Sequence, residues 1–537
     1  MARPRTVLAC PSRGGLPLSR PTWFEAIRRR RRPASPGAWA ERSRARRSAA
    51  IGAALFLAVA TALAAGGVAL ARRATAGGTS AGPSIVVLPL VNLDGDPEQD
   101  YFADGMTEEL VSALGQVPGL RVIGRTSTFA LKGQAGDLAA FGRRLGVTSV
   151  LEGSVRRAGN RLRVRAQIVD ARDGYQLWSR TFERDQGDVL AIQDEIGQAV
   201  ARALEVRLTG LRGRDEAGRP VDPEVYNQYL LARRFLTLNS LDGFARAASA
   251  SNDALARAPG FAPAWATLSA AHAGLADYTE APDEIVANQK EALAAAARAI
   301  ALDPQLAEAY GERAELLAQT AWDWEAASAD WERALALAPG NATLLRKRAA
   351  WFLAPTGRVS EAIESLRRAT ALDPLSSPTW MALGFLQVAS GDGEEGEESL
   401  RRALEIDPQS DLAREALVVR WLLAGRPERA LAVARGCSSD IWRLWGVALA
   451  EHSLGNRTAS DAALAELTER FASPSPYQIA EVHAWRGEDD AAFTWLGRAL
   501  EGLDGGLLMM QWDPLLAGLR GDPRLDPLRH RMHLPGS

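Results

Sequence analysis

Prolines recur at a nearly fixed spacing through the C-terminal half of the chain. The phrases "ALARAPG", "AIALDPQ", "ALALAPG", "ATALDPL" and "ALEIDPQ" place them at Pro259, Pro304, Pro339, Pro374 and Pro408. The last three intervals are 35, 35 and 34 residues, and the first is 45, which fits an insertion around "YTEAPDE". Proline has no amide hydrogen, so it ends one helix and begins the turn to the next. Helical pairs of this period bury their apolar stripes only by stacking, so residues 223–500 are predicted to form an all-α superhelix.

The clearest unit of this pattern is "SPTWMALGFLQVASGDGEEGEESLRRALEIDP". Antiparallel helices approach closely only where side chains are small, which explains Gly384 and Ala403. Large side chains such as Trp380 and Leu400 fill the remaining space. The unit resembles the tetratricopeptide repeat. We expect seven or eight such hairpins, of which the first, from Tyr226, is the least regular.

The resemblance implies that the first helices of the pairs line a concave groove that binds extended segments of other proteins. Counting back from each proline gives the positions expected to face this groove. They are Glu315, Gln319, Arg346, Met381 and Phe385. The predicted ligand of the repeats is therefore a protein partner.

An α/β domain is predicted before the repeats, over residues 84–208. "SIVVLPLVNL" is typical of one buried strand, and "LRVIG" of a second. Helices are expected over "YFADGMTEELVSALGQV", "DLAAFGRRLGV" and "DVLAIQDEIGQAVARALEVRL". Three antiparallel strands are expected between residues 149 and 185, where arginines at 161, 163 and 165 alternate with apolar residues. The result is a mixed sheet with helices.

Three passages of this domain carry a second resemblance: "IVVLPLVNLDGDPEQDYFADGMTEELVSAL", "LRVIGRTSTF" and "GVTSVLEGSVRRAGNRLRVRAQIVDARDGYQLWSRTFERD". They resemble the domain similar to the amino-terminal domain of TolB, which occurs in bacterial envelope and signalling proteins. In that family the domain often follows a cytoplasmic cyclase, kinase or winged-helix module and one membrane span, and precedes tetratricopeptide repeats. The 48 residues before the apolar stretch of this chain are too few for such a module, so no enzymatic or DNA-binding output is carried over.

The apolar stretch itself runs from residue 49 to residue 71 without a charge. A hydrocarbon core of about 30 Å needs about 20 such residues, so the stretch is predicted to cross the lipid bilayer once. Thirteen arginines precede it, whereas only Arg72 and Arg73 follow directly. This asymmetry predicts a cytoplasmic N-terminus in the bacterial inner membrane, with the bulk of the chain in the periplasm. Cleavage of the stretch as a signal peptide after Ala71 is the alternative.

The sequence offers little that could carry catalysis. It has no phosphate-binding loop, H-E-x-x-H or C-x-x-C motif. "GTSAG" matches a nucleophile elbow around Ser80 but lacks the required strand before it and helix after it. The acids at 94, 96, 98 and 100 of "DGDPEQD" are interpreted as a turn and helix cap rather than a cation site. We therefore predict no catalytic residues, no metal and no cofactor, and the chain is not expected to be an enzyme.

Charge and cysteine content limit which partners and disulfides the chain is expected to have. After residue 73 the chain has 48 basic and 63 acidic side chains, so no nucleic-acid partner is expected. Cys10 and Cys437 lie on opposite sides of the predicted span, so no intramolecular disulfide is expected. The predicted function is a membrane-anchored, non-enzymatic scaffold for protein–protein interaction in the bacterial envelope. The alternative is the extracytoplasmic sensory part of a cyclase-, kinase- or winged-helix-linked signalling protein without its output module.

The predicted organisation has seven parts. They are an arginine-rich, disordered cytoplasmic tail (1–48), a transmembrane helix (49–71), a flexible linker (72–83), the TolB-like α/β domain (84–208), a second linker (209–222), the tetratricopeptide-type repeats (223–500) and a C-terminal capping segment (501–537).

Overall fold

The computed structural model describes residues 82–534, apart from 118, 135–137, 160, 205–220 and 280. All of them belong to one compact unit of the chain, residues 81–537. The predicted tail, membrane span and most of both linkers lie outside the described residues, as do Ser80 and Cys10. Within the described part, no helix is both long enough and apolar enough to cross a membrane.

A mixed β-sheet comes first in the described chain. Its strands are β1 (Ser84–Val87), β2 (Val91–Asn92), β3 (Arg121–Val122), β4 (Ser149–Ala158), β5 (Arg161–Asp170) and β6 (Gln176–Asp185). The strand order is β3-β1-β4-β5-β6, and β2 also pairs with β4. β1 pairs in parallel with β3 and with β4, and β2 also pairs in parallel with β4. The pairs β4–β5 and β5–β6 are antiparallel, as predicted.

The passage "SIVVLPLVNL", predicted as one buried strand, forms two short strands. Pro89 lies between them and has no amide hydrogen for a ladder, so pairing stops after β1 and resumes at β2. The Val91 side chain is 57% exposed. The prediction of a single, fully buried strand is therefore wrong for its second half.

Four helices accompany the sheet. They are α1 (Asp100–Gly115), α2 (Arg125–Phe129), α3 (Leu138–Leu145) and α4 (Val189–Ala203). α1 and α4 share one apolar core with the sheet, whereas Phe141 of α3 packs with Val86 and Val150 in a separate cluster. The predicted apolar stripe of α1 is buried, and so are alternate residues of β5. The exposed residues of that strand include Arg161, Arg163 and Arg165, as predicted.

Eight helical pairs follow in the described part of the chain, in agreement with the seven or eight expected. The first helices are α5 (Pro223–Leu236), α7 (Ala262–Tyr278), α9 (Ala307–Leu316), α11 (Ala342–Arg348), α13 (Ser377–Ala389), α15 (Asp411–Leu423), α17 (Asp440–Ser453) and α19 (Pro476–Trp485). The second helices are α6 (Leu241–Arg257), α8 (Pro282–Leu302), α10 (Trp324–Leu337), α12 (Val359–Leu372), α14 (Gly393–Ile406), α16 (Pro427–Ala434), α18 (Arg457–Phe471) and α20 (Asp489–Glu501). Each second helix packs against the first helix of the next pair.

Two of the first helices end in a turn of π-helix, over Leu317–Ala321 after α9 and over Ala349–Leu353 after α11. These turns lie in the two repeats of 35 residues, whereas the 34-residue repeat that contains α13 has none. A π-turn holds one more residue than the α-helical turn it replaces. The extra residue in each longer repeat is thus accommodated inside its first helix.

The sheet domain and the repeats are packed together, as two contacts illustrate. Tyr226 and Tyr229 of α5 are buried in the same core as Phe102 of α1. Farther along, Asp373, in the loop after α12, accepts a hydrogen bond at 2.7 Å from the backbone amide of Ser127 in α2. The first helical pair therefore completes the core of the sheet domain, and the loop between the fourth and fifth pairs caps one of its helices.

The chain ends in a C-terminal segment, residues 505–534, that turns back onto the repeats. It contains 3-10 turns at Gly505–Met509 and Ala517–Leu519 and the helix α21 (Leu525–Arg531). Most of its leucines are buried in the continuous core of the third to eighth pairs.

Candidate functional site

The candidate site lies on the first-helix face, which is the surface that α5, α7, α9, α11, α13, α15, α17 and α19 present together. Five residues of α9, its π-turn and α11 form a polar cluster there. They are Glu312, Glu315, Gln319, Arg346 and Lys347, and all of them are half-buried.

Lys347 is the centre of the polar cluster. Its Nζ lies 2.9 Å from Oε1 of Glu312 and 2.6 Å from Oε2 of Glu315. The Nε2 atom of Gln319 donates a longer hydrogen bond, at 3.4 Å, to Oε1 of Glu315. One lysine thus neutralises much of the charge of two carboxylates on the neighbouring helix.

Burial and neighbouring charges shift the pKa values of Glu312 and Lys347 in opposite directions. Burial raises the pKa of Glu312, although Lys347 opposes the rise. For Lys347, burial alone would lower the pKa, but Glu312 and Glu315 outweigh it and raise the pKa above its usual range. Lys347 therefore stays charged at neutral pH and offsets part of the effect of burial on Glu312.

Arg346 differs from the rest of the polar cluster. Its guanidinium makes no hydrogen bond or ion pair with any residue that the structure describes. Burial lowers its pKa, and Glu315, Asp373 and Glu312 act in the opposite direction without contacting it. A half-buried guanidinium carries five N–H donors that ordinarily find acceptors. Those of Arg346 have no acceptor among the described residues.

The sheet domain covers the part of the first-helix face that is N-terminal to the polar cluster. Glu109 of α1 accepts hydrogen bonds at 2.6 Å from the hydroxyl of Tyr229 and from Nη1 of Arg233, both on α5. Ser112 donates at 2.7 Å to Glu308, one helical turn before Glu312. The edge of the sheet domain therefore lies next to the polar cluster.

The C-terminal segment covers the part of the first-helix face that is C-terminal to the polar cluster. Trp512 packs edge-on against Phe385 of α13, with ring centroids 5.1 Å apart. Tyr477 of α19 donates a hydrogen bond at 2.8 Å to the carboxylate of Asp513. This face is thus covered by the chain itself on both sides of the polar cluster.

The five groove residues predicted from the sequence divide into two sets. Glu315, Gln319 and Arg346 come together in the polar cluster, whereas Met381 and Phe385 lie on α13. Phe385 is only 8% exposed, since Trp512 packs on it. That a partner binds these five residues remains a prediction.

The sequence analysis missed Lys347 and Glu312, although a signal for both exists. They are 35 residues apart, which is the interval between Pro304 and Pro339. They therefore occupy the same position in consecutive repeats, where first helices lie side by side. Opposite charges at equivalent repeat positions are a sequence signature of an ion pair between neighbouring repeats.

The acidic turn of the sheet domain has the structure predicted for it. Asp96 accepts a hydrogen bond at 3.0 Å from the amide of Glu98, and Asp94 accepts one at 2.9 Å from the amide of Arg157. In the part of the chain that the structure describes, no group of three or more His, Cys, Asp or Glu side chains could hold a metal ion.

Comparison with known proteins finds one family and one curated relative that match parts of this chain. The family model described as the tetratricopeptide repeat matches residues 353–420. A Rhizobium meliloti protein named "Putative adenylate cyclase 3" is 46% identical over 189 residues, which are 35% of this chain and 32% of that protein. The chain thus spans about a third of the length of that relative.

Solved structures give weaker likenesses. One, from the functional characterization of Pseudomonas aeruginosa pilF, is 17% identical, with a TM-score of 0.33, over 42% of this chain and 96% of that one. PilW, described as a widely conserved type IV pilus biogenesis factor, is 21% identical, with a TM-score of 0.33, over 40% of this chain and 98% of that one. TM-scores this low carry no functional inference. The matched residues 353–420 and the stacked helical pairs around them identify this part of the chain as a tetratricopeptide repeat region.

Proposed function

We propose that the chain is a non-enzymatic scaffold that binds a protein segment at the polar cluster of its repeats. The observation that carries this proposal is Arg346, a half-buried guanidinium with no acceptor among the described residues. A protein segment laid across α9 and α11 would supply such acceptors from its carboxylates or its backbone carbonyls. Charge-assisted hydrogen bonds of this kind are stronger than those between neutral groups.

The position of the polar cluster also favours a partner of limited width. The sheet domain reaches Glu308 on one side, and the C-terminal segment covers Phe385 on the other. The part of the first-helix face between them is short, so a single extended segment or one turn of a helix fits it better than a folded domain. Gln319, Glu315 and Arg346 would line this site together.

Affinity capture from cells that express the full chain tests the proposal. Arg346→Ala removes the free guanidinium and breaks no ion pair of the described residues, so folding should be preserved. Partners identified by mass spectrometry should be lost at least tenfold with this variant. The matched control is Arg401→Ala, an exposed arginine of a second helix that forms ion pairs with Glu397 and Glu398 of the same helix. Equal recovery of partners with both variants would exclude the polar cluster as the binding site.

Deleting the sheet domain is a poor test of the same question. Tyr226 and Tyr229 of the first helical pair are buried in the core of that domain. A deletion would expose both rings and disturb the repeats, so a loss of partners would not identify the sheet domain as the binding module.

The proposal includes a bacterial inner-membrane anchor at residues 49–71, with the repeats in the periplasm. The arginine asymmetry around that stretch supports this topology. Alkaline phosphatase fused after Leu208 should be active, and a cytoplasm-restricted fluorescent reporter at the same place should be dark. A bright fluorescent fusion and an inactive phosphatase would contradict the anchor in this orientation.

A second candidate function is the regulatory part of a signalling protein. It is supported by the 46% identity over 189 residues to the Rhizobium meliloti protein and by the resemblance of residues 84–208 to the TolB-like domain. Sequencing the DNA upstream of Met1 distinguishes the two candidates. An in-frame cyclase, kinase or winged-helix segment there favours the second, and its absence favours the first.

A further inference from the structure

Three carboxyl groups meet beneath the C-terminal segment. Asp513 comes from the segment, Glu415 from α15 and Glu481 from α19, and each is less than 5% exposed. Glu481 is hydrogen-bonded to Asp513, and Asp513 also accepts from Tyr477 at 2.8 Å. The acids therefore lie at the place where the segment is joined to the first-helix face.

No cation is paired with these three acids among the described residues. Arg520 of the segment donates to the backbone carbonyls of Trp512 and Asp513, at 3.2 Å each, rather than to a carboxylate. Glu415 makes no hydrogen bond or ion pair with a described residue. Three buried carboxylates without a cation repel one another and lose their hydration, so the arrangement requires that some of them hold protons.

Arg520 favours the ionised form of Asp513 through its charge, whereas the main groups around Glu415 and Glu481 are acids and an indole. On α17, the Trp445 indole donates at 2.8 Å to Glu481, while Glu451 is paired with Arg435 at 3.1 Å. Cys437 follows α16, Asp411 and Arg414 pair with each other on α15, and Asp504 accepts from the amides of Tyr477 and Gly506.

The protons are best placed on Glu415 and Glu481. Burial, together with the nearby Asp513, raises the pKa of Glu415 to about 8. Burial and both neighbouring acids raise the pKa of Glu481 well above its usual range. Burial raises the pKa of Asp513 as well, but hydrogen bonds from the amide of Leu515, from Glu481 and from Tyr477 oppose that rise and favour its ionised form.

We propose that Glu415, Glu481 and Asp513 form a proton-dependent clasp that holds the C-terminal segment on the first-helix face and loosens as pH rises. When the segment is in place, Glu415 and Glu481 keep protons that they release once water reaches them. Each proton held only in the closed state changes the opening constant tenfold per pH unit. This dependence of the opening constant holds over a limited pH range. The range lies between the pKa of a solvated glutamic acid, near 4.3, and the raised pKa of the glutamic acids in the closed clasp.

The clasp determines how much of the first-helix face is accessible. Trp512 covers Phe385, and the carbonyl of Met532 accepts a hydrogen bond at 2.8 Å from the indole of Trp324. Opening would expose the faces of α13, α15 and α19 together. Acidic conditions should therefore keep this face covered, and neutral to alkaline conditions should open it more often.

Hydrogen exchange measured by mass spectrometry on the full chain, at pH 5.5 and pH 7.5, tests the clasp. After correction for the intrinsic pH dependence of exchange, the opening constant of residues 505–534 should rise at least 100-fold. Amides of α12, which lies away from the acids, serve as the internal reference and should change less than threefold. An equal change in both regions, or no change in the segment, would overturn the proposal.

Glutamine variants separate the clasp from general effects of pH. Gln has the shape of a protonated Glu, and at position 481 its amide can still donate to Asp513. The double variant Glu415→Gln with Glu481→Gln should keep the segment closed at both pH values. Glu395→Gln, an exposed residue of α14, should behave as the unmodified chain. Should the double variant not fold, Glu415→Gln alone should reduce the rise by about tenfold per pH unit, and an unreduced rise would overturn the assignment of that proton.

Discussion

The carboxylate of Asp373 accepts a hydrogen bond at 2.7 Å from the amide of Ser127, 246 residues earlier in the chain. In the equivalent loop of an earlier repeat, Asp303 instead accepts from the amide of Gln305, two residues away. At the later loop, the hydroxyl of Ser127 takes over that role and accepts from the amide of Leu375 at 2.8 Å. One repeat loop has thus exchanged its local turn bond for a bond to the sheet domain.

Asp373→Ala should destabilise the full chain by about 3 kcal/mol, since it removes a buried charged acceptor and leaves the Ser127 amide unpaired. Chemical denaturation followed by circular dichroism measures the loss. Asp303→Ala, at the same position of an exposed loop, is the matched control and should cost less than about 1 kcal/mol. Equal losses in the two variants would mean that the bond to the sheet domain adds nothing to stability.

Lys347→Met should destabilise the chain by about 2 kcal/mol at pH 7, because Glu312 and Glu315 lose their shared cation while remaining half-buried. Burial then raises the pKa of Glu312 without the opposing charge of Lys347, so Glu312 holds a proton in the folded state that the unfolded chain releases. Stability should consequently fall more steeply as pH rises above about 4.5 than in the unmodified chain.

Denaturation midpoints across that pH range give the slope for Lys347→Met. Lys290→Met, at an exposed position of α8, is the control and should leave both the midpoint and the slope unchanged. A variant at position 347 that gained stability with rising pH would contradict the assigned ion pairs.

Trp512→Ala should free the C-terminal segment in part, since the indole packs edge-on against Phe385 and part of it is buried. Loss of such an aromatic contact costs about 2 kcal/mol, which is roughly a 30-fold rise in opening. Hydrogen exchange of residues 505–534 at pH 6 should report it. Trp421→Ala removes a half-buried indole of α15 that packs under Arg420 of the same helix and Arg429 of α16, and it should not change exchange of the segment.

The repeats could be predicted well from the sequence because their determinants are local. The spacing of the five prolines gives the order and register of the helical pairs that they separate, and the intervals of 35 rather than 34 residues coincide with the two π-turns. The pairing of Lys347 with Glu312 follows from the same register. The interruption of the first strand at Pro89 could also be predicted, since proline interrupts a strand.

The remaining features depend on contacts between distant parts of the chain. No periodicity relates Ser127 to Asp373, and no motif shows that Trp512 will pack on Phe385. The predicted groove therefore included Phe385 without the segment that covers it. Glu415 and Glu481 occupy helical positions where an acid is usually exposed, so their burial becomes visible only once the C-terminal segment is in place.

Site-specific photo-cross-linking in living cells tests the central claim most directly, with a photoreactive amino acid in place of Gln319 in the full chain. We expect cross-links to a discrete protein partner, lost when Arg346→Ala is added. The same amino acid at position 401 should give none of these products. If position 401 captures the same protein as strongly, or if the products at position 319 persist without Arg346, then the polar cluster of α9 and α11 is not the site at which this scaffold binds its partner.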